Sequence, residues 1–162
     1  MRPAAAAASA ALIACSLLLS ACGGRQDGVR FVEAKIDGLT CDKCVPPLTK
    51  SLHTHFASAA VVVDDDKDTA TLRWKRGELF SADEFGQAVT AVRMRVVDLT
   101  LEACGTASAQ GADRILAAGS SRFVLRGSQT VPLDQPVCIS GRLDRGQQPA
   151  VLEIGSVSTS GN

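Results

Sequence analysis

Residues 31–37 set Val32, Ala34 and Ile36 at alternate positions against Glu33, Lys35 and Asp37, the period-two pattern of a half-buried strand. Gly38 ends it, and the spacing then changes. Val45, Leu48, Leu52 and Phe56 recur at intervals of three and four, which predicts a helix beginning near Cys44. Pro46 and Pro47 are compatible with that helix because they fall in its first turn, where no intrahelical N–H donor is required. Residues 59–63 read as a short apolar strand, 64–68 as its turn, and Ala70, Leu72 and Trp74 alternate on a third strand. Ser81-Ala82-Asp83-Glu84 is a capping box, opening a second helix with Phe85, Ala88, Val89 and Val92 on one face. Val97, Leu99 and Leu101, set against Asp98, Thr100 and Glu102, give a last strand.

Strand, helix, strand, strand, helix, strand is the βαββαβ order, so residues 29–104 are expected to form an α+β, ferredoxin-like sandwich. Residues 105–121, rich in Gly, Ala and Ser, look like a linker, although Ile115 and Leu116 suggest one helical turn. Residues 122–126, 136–143 and 150–157 are strand-like and separated by Gly-containing turns. They predict a small β-rich C-terminal appendage over 122–162, either half of an OB-like barrel or strands packed back on the first domain. About 40 residues are too few for a sizeable core of their own. The acidic run Asp64-Asp65-Asp66-Lys67-Asp68 lacks the glycine and the final glutamate of a calcium loop and reads as a solvated hairpin turn.

The N-terminus changes the picture of where the chain works. Arg2 is the only charge before Arg25, and an Ala- and Leu-rich stretch between them ends in small residues, which reads as an export signal. Leu19-Ser20-Ala21-Cys22 resembles the bacterial lipobox. That resemblance implies a signal peptide over 1–21, lipidation of Cys22, and a tether over 22–28. Gly23 and Gly24 stand where an aspartate in that family tends to retain the protein in the inner membrane. The implied location is the bacterial cell envelope, lipid-anchored in the outer membrane and facing the periplasm. The alternative is an ordinary secretory signal with an incidental cysteine. Loss of Arg2 with the signal leaves 16 basic against 17 acidic side chains, which gives no electrostatic case for nucleic acid or for anionic lipid.

Of six cysteines, Cys15 leaves with the signal and Cys22 is the expected lipid site; Cys41, Cys44, Cys104 and Cys138 remain. In an oxidising envelope an even number invites disulfides, so every metal assignment competes with them. Cys41 and Cys44 sit at a strand-to-helix junction, which brings both sulfurs to one exposed loop within reach of a single ion. The positive end of the helix favours thiolate over thiol, and thiolates select soft ions over Mg(II) or Ca(II). A structural zinc site would close with four ligands; two sulfurs on an open loop suit an ion that is picked up and handed on.

Gly38-Leu39-Thr40-Cys41-Asp42-Lys43-Cys44 resembles the Gly-Met-x-Cys-x-x-Cys loop of heavy-metal-associated domains, among them small copper chaperones, the N-terminal modules of copper-exporting ATPases and the periplasmic mercury-binding protein. The resemblance covers roughly residues 29–104 and implies the same βαββαβ fold. It implies Cys41 and Cys44 as metal ligands and Cu(I) as the ion, with Hg(II), Zn(II) or Cd(II) as alternatives. An envelope metal transporter or metal-accepting protein is the implied partner. Leu39 replaces the family's usual methionine, a packing residue there, and Arg93-Met94 stands where the family often has Gly-Tyr.

Three further sets of residues bear on the site. Met94 is either a soft auxiliary ligand or a core-filling thioether, and the second reading is preferred. His53 and His55 lie 9 and 11 residues beyond Cys44 on the same helix, roughly 13–16 Å away and too far for one coordination shell. Cys104 and Cys138 either form a disulfide that clamps the appendage to the first domain or supply further metal ligands. The expectation is a metal chaperone or scavenger rather than an enzyme, since no nucleophile elbow or phosphate loop is present. Its rivals are a thiol–disulfide oxidoreductase using Cys41 and Cys44, and a structural lipoprotein held by disulfides.

Overall fold

A computed structural model describes residues 27–159; the expected signal, Cys22, Gly23 and Gly24 lie outside the described residues. The elements in chain order are β1 (Gly28–Asp37), a 3-10 turn (Asp42–Cys44), α1 (Val45–His55), β2 (Ala60–Asp64), β3 (Thr69–Glu78), α2 (Ala82–Thr90), β4 (Arg95–Gln110), β5 (Asp113–Ala118), β6 (Ser121–Arg126), β7 (Pro136–Asp144) and β8 (Val151–Thr159). No helix among the described residues is long and apolar enough to cross a membrane.

The arrangement of these strands overturns the expected fold class. The chain is mostly β, not an α+β ferredoxin-like βαββαβ sandwich with a C-terminal appendage. All eight strands share one sheet in the order β2-β3-β1-β4-β5-β6-β8-β7, and β7 returns to pair with β4. That return closes β4, β5, β6, β8 and β7 into a five-stranded barrel, a whole barrel where the sequence suggested at most half of one. Every pairing is antiparallel except β6 with β8.

The reason lies in β4. It does not stop near residue 104 but runs for 16 residues, with Leu99, Leu101, Ala103 and Ala107 all buried in one core. Its first half pairs with β1 and its second half with β5, while β7 pairs across its middle. One strand therefore belongs to both parts of the molecule, and the boundary drawn at residue 104 falls inside it. Residues 105–121 are not a linker: they are the end of β4, a tight turn and β5, with Ile115 and Leu116 in strand. Their small side chains are what the barrel wall requires. A Cβ on Gly105 would overlap the Ala117 carbonyl, and one on Gly141 the Glu153 carbonyl.

One core runs from Val29 through Leu48, Leu72, Phe85 and Leu101 to Ile139 and Leu152, so the C-terminal strands are part of the same folding unit. The helices pack on each other, on β2 and on β4. Phe56, Trp74, Phe80 and Phe85 form an aromatic cluster beneath them, with Phe56 and Phe80 stacked at 5.8 Å between centroids. Val32, Ala34 and Ile36 face this core, while Glu33, Lys35 and Asp37 face solvent on the other side of the sheet.

Local departures from the expected pattern have local causes. The pairing of β1 with β4 slips between Lys35 and Ile36, whose partners are Asp98 and Val96. The extra residue is Val97, which this bulge leaves 55% exposed while Val96 takes its place inside. Ser81 caps α2 by accepting from the Glu84 N–H, as the capping box requires, but the Glu84 carboxylate turns instead to His55. At the β2–β3 turn Asp64 accepts from both the backbone N–H and the ammonium of Lys67. The Lys67 side chain holds the Asp64 carboxyl below its usual range, consistent with a solvated hairpin turn.

Candidate metal centre

The loop between β1 and α1 is built from the core outwards. Leu39 is fully buried and fastens the loop to the sheet and helices, in the manner expected of a packing residue. Gly38 before it has φ +95°, a conformation that favours glycine, and Met94 packs alongside it. Met94 is 8% exposed and belongs to the core, so its thioether fills space beneath the loop. Arg95 and Asp37 join across the same end of the sheet at 2.7 Å.

Beyond Leu39 the chain emerges into solvent. Cys41, Asp42 and Lys43 are exposed and Cys44 is half-buried. Cys41 is extended (φ −156°, ψ 147°) and caps the 3-10 turn, and the Cys44 N–H donates to the Cys41 carbonyl at 2.8 Å. This tight turn sets the two Cα atoms 5.3 Å apart and aims both side chains at one place, where the sulfurs are joined as a disulfide. The structure is thus the oxidised form of the pair. Only the reduced form offers thiolates to an ion.

The first turn of α1 is short of free amide donors. The Val45 N–H is already taken by the Asp42 carbonyl, and Pro46 and Pro47 have no N–H. The first turn of α1 therefore presents the sulfurs with the helix dipole but with few amide donors. The signal was in the sequence, since a doubled proline in a first turn always removes two donors.

The other candidate ligands are not brought here. His53 and His55 occupy the last turn of α1, where His55 Nδ1 meets Glu84 Oε1 at 3.2 Å and ties α1 to α2. Cys104 and Cys138 are buried and disulfide-bonded to each other. Their pairing joins β4 to β7, so what they fasten is the wall of a barrel rather than a separate appendage. With the Glu102 carboxylate they form the one group of three ligand-type side chains found close together among the described residues, all within 4.8 Å. Cys104 pairs with Gly28 at the start of β1, whereas Cys41 follows the end of that strand. Ten residues of strand rise about 33 Å, so the two cysteine pairs cannot share an ion.

The loop can therefore act in two chemical states, a closed disulfide and an open dithiol able to chelate one soft ion. No protein-family model, no curated protein and no solved structure matches this chain, so the meaning of the loop rests on its own residues and geometry.

Proposed function

We propose that this chain is a metal-binding protein of the bacterial cell envelope, in which reduced Cys41 and Cys44 hold one soft ion as cargo. Cu(I) is the ion of first choice, with Hg(II), Zn(II) and Cd(II) as the alternatives a thiolate pair also accepts. The observation that carries the reading is the convergence of two sulfurs on an exposed turn, anchored by buried Leu39 and with no His, Cys, Asp or Glu side chain grouped with both sulfurs among the described residues. A site with two ligands and open sides is suited to receiving and releasing an ion rather than to a permanent structural role. The resemblance of residues 38–44 to the heavy-metal-associated loop supports the same reading. The protein then acts as a chaperone or scavenger, tethered through Cys22 and passing its ion to another envelope protein.

The disulfide between Cys41 and Cys44 favours a second reading, a thiol–disulfide oxidoreductase. In that chemistry the pair exchanges two electrons and two protons with its substrate: the disulfide takes them from a substrate dithiol, or the dithiol gives them to a substrate disulfide and is itself oxidised. Native mass spectrometry of the reduced and oxidised protein with each ion in turn separates the two. One ion held by the reduced form and none by the oxidised form supports metal carriage. No ion on either form, together with reduction of insulin disulfides, supports the redox enzyme.

A further inference from the structure

Near-neutrality of the chain conceals an uneven distribution of charge. Arg73, Lys75 and Arg76 lie in the second half of β3, and Arg30 sits on β1 at a bulge in its pairing with β3 and β4. Arg73 and Lys75 line two adjoining shallow clefts at this end of the sheet, one shared with Arg30 and Glu102 and the other with Arg76 and Glu78. Among the described residues lining these two clefts, four are cationic and two are carboxylates. Lys75 and Arg76 are exposed and belong to none of the salt bridges among the described residues. The Arg73 guanidinium lies over the Phe31 ring, 4.8 Å from its centroid, which holds it against the face of the sheet. Immediately after β3 comes Leu79, at 65% the most exposed large apolar side chain among the described residues. Cations beside an exposed leucine match an interface that attracts by charge and admits a shallow apolar group.

The position of this cluster decides its occupant. Val29 pairs with Glu78 and Gly28 with Cys104, so the cluster lies at the end of the sheet where β1 begins. Gly28 is six residues after Cys22, and six residues span at most about 20 Å when fully extended. A chain held by a lipid on Cys22 keeps this end within reach of the headgroups, while the loop of Cys41 and Cys44 stands at the other end of β1. We infer that Arg73, Lys75, Arg76 and Leu79 form a docking surface for anionic phospholipid headgroups. Docking there orients the sheet end-on to the membrane and turns the cysteine loop towards soluble partners. The inference rests on the reading of Cys22 as the lipid site.

The test uses residues 23–162 without an acyl chain, since every described element and the whole core lie within 27–159. Co-sedimentation is measured with vesicles of phosphatidylcholine alone and with added phosphatidylglycerol. The expected result is binding that needs phosphatidylglycerol and weakens with salt. Lys75→Gln with Arg76→Gln should lower the partition coefficient by about tenfold or more. Leu79→Ser, an exposed change that leaves the fold intact, should lower it further. Equal binding to both vesicles, no binding to either, or unchanged binding by the Lys75→Gln, Arg76→Gln variant would overturn the inference. Mass spectrometry of the exported protein reads the acyl group on Cys22 separately, so failure of the anchor and failure of the headgroup surface are told apart.

Discussion

Cys104 and Cys138 stand directly opposite each other on β4 and β7, with Cα atoms 4.0 Å apart, and their disulfide bridges the seam along which the barrel closes. The loop between them is 34 residues in sequence separation, and closing it removes freedom from the unfolded chain worth about 3–4 kcal/mol in the loop-entropy model. Replacing both by alanine should lower the urea stability by that order. Metal binding at the other end of β1 should be unchanged. An equal loss of stability and of metal would show that the two ends are coupled.

Gly105 and Gly111 offer a contrast between two kinds of glycine in the same hairpin. At Gly105 an added methyl group meets the backbone of β5, which cannot yield, whereas at Gly111 it meets open space and only the φ of +63° opposes it. Gly105→Ala should cost about 3 kcal/mol or more, through displacement of packed backbone. Gly111→Ala should cost only about 1–2 kcal/mol. Thermal unfolding of the two variants checks the order, and the reverse order would contradict the barrel's register.

Leu39 links the core to the cysteine loop. Leu39→Ala leaves a cavity under the loop and should cost about 2–5 kcal/mol. Leu39→Met conserves volume and should cost under about 1.5 kcal/mol. Denaturant titration checks both. Metal affinity should fall with the alanine, whose loop loses its anchor, and hold with the methionine.

At α2, Ser81→Ala removes the hydroxyl that accepts from Glu84 and should destabilise the protein by about 1 kcal/mol, while Ser81→Asp should be close to neutral. Both effects are read from the urea midpoint at constant slope.

The elements most legible in the sequence were those whose pattern was local. The alternation of Val32, Ala34 and Ile36, the helical spacing of Leu48 and Leu52, and the Ser81 cap each depend on a few neighbouring residues, and each lies where its pattern implied. The loop of Cys41 and Cys44 was legible for the same reason. The fold class was not, because it turns on one long-range event, the return of β7 to β4. Residues 105–121 carry almost no period-two signal, since Gly105, Ala107, Ala117 and Ala118 are small on both faces. Composition alone cannot separate such a strand from a linker; only the close approach of the β5 backbone shows why the residues are small. The cationic end of the sheet is only partly local: Arg73, Lys75 and Arg76 are close in sequence, but a whole-chain charge averages over them, and only folding brings Arg30 of β1 beside them.

A Cu(I) competition titration decides whether reduced Cys41 and Cys44 carry a soft ion. Residues 23–162 are reduced, held without oxygen and titrated against a chromophoric Cu(I) chelator, alongside the Cys41→Ser, Cys44→Ser double variant and the oxidised wild type. The reduced wild type should withdraw one equivalent of Cu(I) and the other two none. A double variant that still withdraws an equivalent, or a reduced wild type that withdraws none, would contradict metal carriage by this pair.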